Sequence, residues 1–105
     1  MNVGHLEIDD FVLRAFCEKW GVAELAVFGS VLRDDFRPDS DIDFLVTWAL
    51  GVRRTWKDIW AMKLELEATF GREVGIAQRH VVEIDHNPIR RKNILSSART
   101  LYAAA

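Results

Sequence analysis

The feature that narrows the fold most is a pair of short apolar runs lying close together in the chain. Residues 23–28 (AELAVF) are stopped by Gly29, and residues 42–48 (IDFLVTW) are rich in β-branched and aromatic side chains. Runs of this length, bounded by glycine and turn residues, read as strands, and the first is apolar enough to be a strand buried on both faces. Between them, residues 34–40 (DDFRPDS) carry turn chemistry.

Helical periodicity surrounds the two strands. Asp9 or Asp10 is placed to cap a helix whose apolar positions, Phe11, Val12, Ala15, Phe16 and Trp20, recur at helical spacing until Gly21. A second helix starts at the N-cap Thr55, carries Trp56, Ile59, Trp60, Met62, Leu66 and Phe70, and stops before Gly71. A third strand is expected over Glu73–Ala77. Asn87 followed by Pro88 is an N-cap with proline at the first helical position, and Ile94, Leu95, Ala98, Leu101 and Tyr102 would line one face of a last helix. The order αβ, β, αβ, α predicts an α/β chain of the α+β kind: a small mixed β-sheet with helices packed against it. A chain of 105 residues has room for one such domain, over residues 1–105. Trp48, Trp56 and Trp60 are assigned to its core by the same spacing. Four tryptophans are nevertheless many for this size, and one or two are expected at a partner surface.

Charge and composition exclude several functions. Residues 1–52 carry four basic and ten acidic groups, and residues 53–105 carry ten basic and six acidic. The overall balance of -2 argues against direct nucleic-acid binding, because phosphate contacts need a positive field and the acidic half would repel the backbone. No run approaches the roughly 20 apolar residues of a membrane span, and Met1–Asp10 has neither the basic region nor the apolar stretch of a secretory signal. A cytoplasmic protein without membrane association is expected. Cys17 is the only cysteine, so no internal disulfide forms, and its apolar surroundings assign it to packing rather than chemistry.

The chemistry concentrates between Gly29 and Asp43. Gly29-Ser30 follows the first strand directly, and ten residues later Asp41-Ile42-Asp43 opens the second. Two residues apart on a strand, Asp41 and Asp43 leave on one face while Ile42 points to the other. Such neighbouring carboxylates repel unless a cation or proton sits with them. Magnesium answers that demand, since it takes hard oxygen ligands and commonly combines one or two carboxylates with substrate phosphates. Gly29 permits close backbone approach, and Ser30 offers a hydroxyl and an amide donor to phosphate oxygens. Asp-x-Asp alone is usually a solvated strand end and Gly-Ser alone a turn; their conjunction at adjacent strand ends is what points to a cradle for a nucleoside triphosphate and a metal.

The stretch FGSVLRDDFRPDSDIDFLV, Phe28–Val46, resembles the minimal nucleotidyltransferases of the DNA polymerase β superfamily, whose pattern is Gly-Ser, about ten residues, then Asp-x-Asp. LELEATFGREV (Leu64–Val74) and NPIRRKNILSSARTLY (Asn87–Tyr102) are similar to that family's later helix, third strand and final helix, so the resemblance covers essentially the whole chain. It implies a polymerase β palm-like fold. It also implies that Gly29 and Ser30 bind the triphosphate, that Asp41 and Asp43 are catalytic and hold Mg²⁺ or Mn²⁺, and that a nucleoside monophosphate is transferred with release of pyrophosphate. The nucleotide would be ATP or another nucleoside triphosphate. Arg33 either contacts phosphate, as the resemblance implies, or pairs with one of Asp34, Asp35 and Asp39. Small members of this kind are often antitoxins encoded with a helical HEPN-type ribonuclease toxin, which they bind and in some cases adenylylate. A toxin partner of that type is therefore expected, and self-association stays open.

One position departs from the pattern. Where similar proteins carry an aspartate on the third strand, this chain has Gly75 within Val74-Gly75-Ile76-Ala77. Glycine can neither hold a catalytic ion nor receive the nucleophile's proton. Two readings follow: a nucleotidyltransferase of the two-metal type, or a weakened one that acts only by binding a partner. Glu73 shares a face with position 75 in a regular strand, and solvation at the strand edge is expected for it. His80 and His86 are too isolated to ligate metal, His5 belongs to a terminus expected to be mobile, and Tyr102 is expected in the core. Arg90, Arg91 and Lys92 crowd the first turn of the last helix, where the helix dipole favours acids; a solvated patch is the default, and phosphate or an acidic partner the alternative.

Overall fold

A computed structural model describes residues 1–104. The chain opens with a two-stranded hairpin, β1 (Asn2–Val3) and β2 (Leu6–Glu7). Then follow α1 (Asp10–Trp20), β3 (Val22–Phe28), a 3₁₀ turn over Gly29–Leu32 and β4 (Ile42–Trp48). The second half contains α2 (Trp56–Phe70), β5 (Val74–Gln78), α3 (Arg79–Val82), α4 (Pro88–Ser97) and β6 (Arg99–Ala103). The main sheet runs β5-β4-β3-β6; β3 is antiparallel to β4 and β6, and β4 is parallel to β5. A parallel pair needs a crossover, and α2 supplies it.

The expected caps form. The Asp9 carboxylate accepts from the Phe11 and Val12 amides, Thr55 and Asp58 close a reciprocal capping box, and Asn87 accepts from the amides of Ile89 and Arg90 ahead of Pro88. Alternation along β3 and β4 then distributes the core. Leu25, Val27, Ile42, Phe44 and Val46 face α1 and α2 and meet Leu13, Phe16, Cys17, Met62 and Leu66. Ala26 and Leu45 face the other way, against Val82 of α3, Ile94 and Leu95 of α4, and Ala98 at its end. Both strands are thus covered on both faces, as the apolar run Ala23–Phe28 predicts. Cys17 is wholly buried, and burial with the neighbouring Glu18 pushes its thiol up to about 12, in keeping with a packing role.

Four details differ from the sequence expectation. The last helix stops at Ser97, and residues 99–103 form β6 against β3, so Leu101 and Tyr102 belong to a strand. Ser96 and Ser97 turn their hydroxyls back onto the Lys92 and Asn93 carbonyls, a bonding habit that weakens helix interiors, and β3 would otherwise be a bare sheet edge. Second, α1 buries Leu13, Phe16 and Cys17, a stripe rotated from the one expected, leaving Phe11 81% exposed. Third, Trp56 and Trp60 are 75% and 55% exposed, because α2 seats itself through Met62 and Leu66 instead. Trp48 is half-buried, with its indole N–H donated to Gln78 Oε1 at 2.9 Å. Fourth, the terminus is fixed: β1 and β2 pair, and His5 donates its backbone N–H to the Val31 carbonyl at 3.0 Å.

Candidate active site

Strand pairing brings the sequence motifs together. Asp43 lies opposite Phe28 on one side and Gly75 on the other, so the end of β3 and the starts of β4 and β5 converge on one carboxylate. Gly29 has φ +78°, a left-handed conformation, and a Cβ placed on it would stand 2.6 Å from Asp43 Oδ2. Glycine is required there twice over, by the backbone and by the space Asp43 fills. A Cβ at Gly75 would stand 3.0 Å from Asp43 Oδ1. The Asp43 carboxylate therefore lies between two glycines, with one oxygen toward each.

The electrostatics follow from that placement. Asp43 is half-buried while Asp41, at the strand mouth, is exposed. Burial first, then the Asp41 charge, raise the Asp43 carboxyl above its ordinary value, and Arg33 partly offsets them. The pair holds negative charge against a gradient that a cation would relieve. Among the described residues, no group of three or more His, Cys, Asp or Glu side chains is gathered for a metal ion; Gly75 stands beside Asp43, and Glu73 is exposed at the strand edge. Two hard carboxylate donors with open positions around them fit a cation such as Mg²⁺ that completes its shell with phosphate and water.

Gly29 and Ser30 open the 3₁₀ turn, half-buried, beside a cleft of about 410 Å³ lined by Phe28, Gly29, Leu32, Arg33 and residues of α4 that include Asn93 and Ser97. Arg33 is exposed and pairs with Asp35 at 3.2 Å, a solvated contact that releases the guanidinium at small cost.

Sequence reasoning missed what fixes the loop between the two motifs. Arg72, just before β5, donates from one guanidinium nitrogen to the carbonyls of Arg37, Pro38 and Ser40 at 2.8, 3.1 and 3.2 Å. Its guanidinium carbon lies 4.3 Å from the centre of the Phe36 ring. The other side of the arrangement is His5, whose ring stacks with Phe36 at 5.3 Å and whose Nε2 bonds the Arg33 carbonyl at 2.8 Å. Ser40 Oγ accepts from the Arg37 amide at 2.9 Å. Arg72 thus ties the peptide entering Asp41 to the strand that carries Gly75. A lone arginine after a glycine gives no sign of this in sequence, since the partners are main-chain carbonyls.

The basic turn of α4 also finds a partner. Arg90 makes a two-pronged pair with Asp85 at 2.7 and 2.9 Å, and Arg91 donates to the Asp85 carbonyl at 2.9 Å. Hydrogen bonding from Arg90 lowers the Asp85 carboxyl to about 2.

Comparison with known proteins places this geometry among relatives. The profile of the nucleotidyltransferase domain family matches residues 11–101. A Methanocaldococcus jannaschii protein with the provisional name of protein adenylyltransferase is 32% identical over 80 residues, which is 76% of this chain and 80% of that protein. A solved structure provisionally named a minimal nucleotidyltransferase is 34% identical, covering 89% of this chain and 96% of that one, with a TM-score of 0.61. A toxin–antitoxin structure with AMP-PNP superposes with a TM-score of 0.70 over 92% of this chain and 75% of that one; at 12% identity the likeness is one of fold.

Proposed function

The chain belongs to the nucleotidyltransferase domain family, and from that premise we propose that it is a single-domain, cytoplasmic enzyme that binds Mg²⁺–ATP and transfers the nucleoside monophosphate to a partner protein. The observation that carries the reading is the Asp43 carboxylate held between Gly29 and Gly75, half-buried and raised by Asp41, in a chain whose relative bears the name of a protein adenylyltransferase. Asp41 and Asp43 are the residues that would hold the metal. A Mg²⁺ or Mn²⁺ ion held there would neutralise this pair and supply Lewis-acid stabilisation of charge on the phosphoryl group.

The chain's own groups do the rest. The Gly29-Ser30 turn, without a side chain at its first position, lets the triphosphate approach the backbone, and the Ser30 hydroxyl and amide hold its oxygens. Arg33, released from Asp35, adds a cation on the phosphate side. Transfer forms a bond between the oxygen of an acceptor hydroxyl and the α-phosphorus and breaks the α–β anhydride, releasing pyrophosphate, while the hydroxyl proton leaves to solvent water. The likeness in fold to toxin–antitoxin structures supports an antitoxin role, and the resemblance carried by Phe28–Val46 supplies the kind of partner proposed, a HEPN-type helical toxin. Labelled ATP, Mg²⁺ and the co-encoded protein test it: incorporation that disappears in Asp41→Ala and Asp43→Ala is the expected result.

Gly75 favours a second reading. Without a third carboxylate beside Asp43, the same site binds nucleotide weakly or turns over slowly and the protein acts by partner binding alone. Partner binding that survives both alanine substitutions, with no label transferred by the unaltered protein, selects this reading. Mg²⁺ with ATP should raise the melting temperature by mass action, and EDTA should remove the rise; no rise at millimolar ATP favours the second reading.

A further inference from the structure

The Gly29 turn has two sides. On one, the place of a Cβ at Gly29 is 2.6 Å from Asp43 Oδ2; on the other, Gly29 borders the cleft of about 410 Å³ that is walled by α4 and the start of β6. Strand register explains the second wall. Arg99, the first residue of β6, lies opposite Val27, two positions before Gly29, so β6 begins alongside the point where β3 runs into the 3₁₀ turn. Asn93 and Ser97, one turn apart on α4, line the same cleft. Ser97 donates its hydroxyl to the Asn93 carbonyl at 2.5 Å, whereas the exposed Asn93 side-chain amide has no hydrogen-bond partner among the described residues.

The lining carries Arg33 and Arg99 and no carboxylate. Arg99 forms no ion pair among the described residues. Arg33 has only Asp35, in a pair whose side chains are 61% and 67% exposed, and such a pair gives way readily to a more highly charged anion. An unpaired guanidinium beside a glycine turn and an unpartnered amide is complementary to phosphate oxygens, which an arginine fork holds two at a time. An uncharged base or ribose would leave both arginines without a counter-charge.

We propose that this cleft takes the β- and γ-phosphates of the nucleotide, with Arg99 and Asn93 as binding residues that select a triphosphate over a monophosphate. The identity of the anion rests on the nucleotidyl-transfer reading; the cleft and its unpaired cation do not. With Asp41 and Asp43 assigned to the reacting phosphorus, a triphosphate laid across Gly29 runs from Asp43 into the cleft. Arg33 and Arg99 then hold the two phosphates that leave as pyrophosphate, and the corner between α4 and β6 becomes part of the substrate site.

The test measures binding of ATP, inorganic tripolyphosphate and AMP to the whole protein in Mg²⁺. Arg99→Gln should raise the Kd for ATP and for tripolyphosphate about tenfold, the size of one charge-assisted hydrogen bond, and Asn93→Ala about threefold. AMP, which lacks both phosphates, should bind no worse in either variant. Arg99→Lys keeps the charge without the fork and should recover part of the loss. Tripolyphosphate should also shift the NMR signals of the Asn93 side-chain amide and the Arg99 Nε–H. Equal losses for AMP would put the base or ribose in the cleft and overturn the proposal, as would no tripolyphosphate binding at millimolar concentration. A fall in the ligand-free melting temperature of Arg99→Gln with unchanged Kd values would overturn it too, leaving Arg99 only as the cation that answers the negative end of α4. Label transfer from ATP with Kd values indifferent to Arg99 sinks this site alone. Tripolyphosphate bound through Arg99 in a protein that transfers no label leaves the site standing and sinks the transfer reading.

Discussion

Gly75→Asp introduces the carboxylate that similar proteins carry and puts it against an existing one. The new Cβ would stand 3.0 Å from Asp43 Oδ1, so the two carboxyl groups would sit roughly 4 Å apart, a separation worth about 1 kcal/mol of repulsion in bulk water and about 4 kcal/mol near a protein surface. Asp43 is half-buried and Gly75 partly so, which places the effect between those limits. Replacing a strand glycine returns little, because aspartate is itself a poor strand former. A net loss of about 1–3 kcal/mol is expected, or a fall of about 5–15 °C in Tm for a chain of this size. The folded pair binds a proton more tightly than the unfolded chain does, so stability is retained below the ordinary carboxylate range, near pH 4, and is lost as pH rises through the raised folded value. Urea titrations at pH 4 and pH 7, each with EDTA or with Mg²⁺, measure this. Gly75→Asn is the uncharged control of equal size. The expected pattern is a loss at pH 7 in EDTA that Mg²⁺ reverses and that Asn does not share, together with faster metal-dependent transfer. An Asn variant as unstable as the Asp variant would make the cost steric; an Asp variant stable at pH 7 in EDTA would refute the placement of position 75 against Asp43.

Asp43→Asn removes the buried charge that Asp41 opposes; the apo protein should become more stable at pH 7 than at acid pH relative to the parent, while the Mg²⁺–ATP shift in Tm disappears. Arg72→Ala takes three carbonyls from one guanidinium donor and should cost about 1–2 kcal/mol after allowance for partial exposure, with faster amide exchange across residues 33–41. Leu101→Ala should cost about 2–4 kcal/mol in urea, since Leu101 is buried in the core; a negligible loss would mean β6 is not an integral strand.

Most of the fold was legible because its signals are local. The caps Asp9, Thr55 and Asn87, the apolar runs on β3 and β4 and the glycines after α1 and α2 each act within a few residues. What was missed depends on neighbours distant in sequence. Residues 99–103 satisfy a helical spacing well, but β3 offers them an unpaired edge, and Ser96 and Ser97 loosen the helix just before it. Trp56 and Trp60 fit an apolar helix face as well as Met62 and Leu66 do; which face meets the sheet is decided by the angle at which α2 crosses it.

At the candidate site, the closeness of Gly29, Asp41 and Asp43 was legible and the reason for the glycines was not. Read along the chain, Gly75 is a missing carboxylate and Gly29 a turn residue. Read across the sheet, both are the space that Asp43 occupies, since one carboxylate oxygen comes within 2.6 Å of a Cβ at position 29 and the other within 3.0 Å of one at position 75. The two glycines are not equivalent, however. Gly29 is also held at φ +78°, so alanine there strains the backbone by about 1–2 kcal/mol in addition to displacing Asp43. Gly75 has ordinary strand geometry, and alanine there asks only that the Asp43 side chain move by a few tenths of an ångström. The backbone therefore forbids a side chain at 29, whereas position 75 admits one at the expense of Asp43's present orientation. What a side chain at 75 would close is the approach to Asp43 from the free edge of β5.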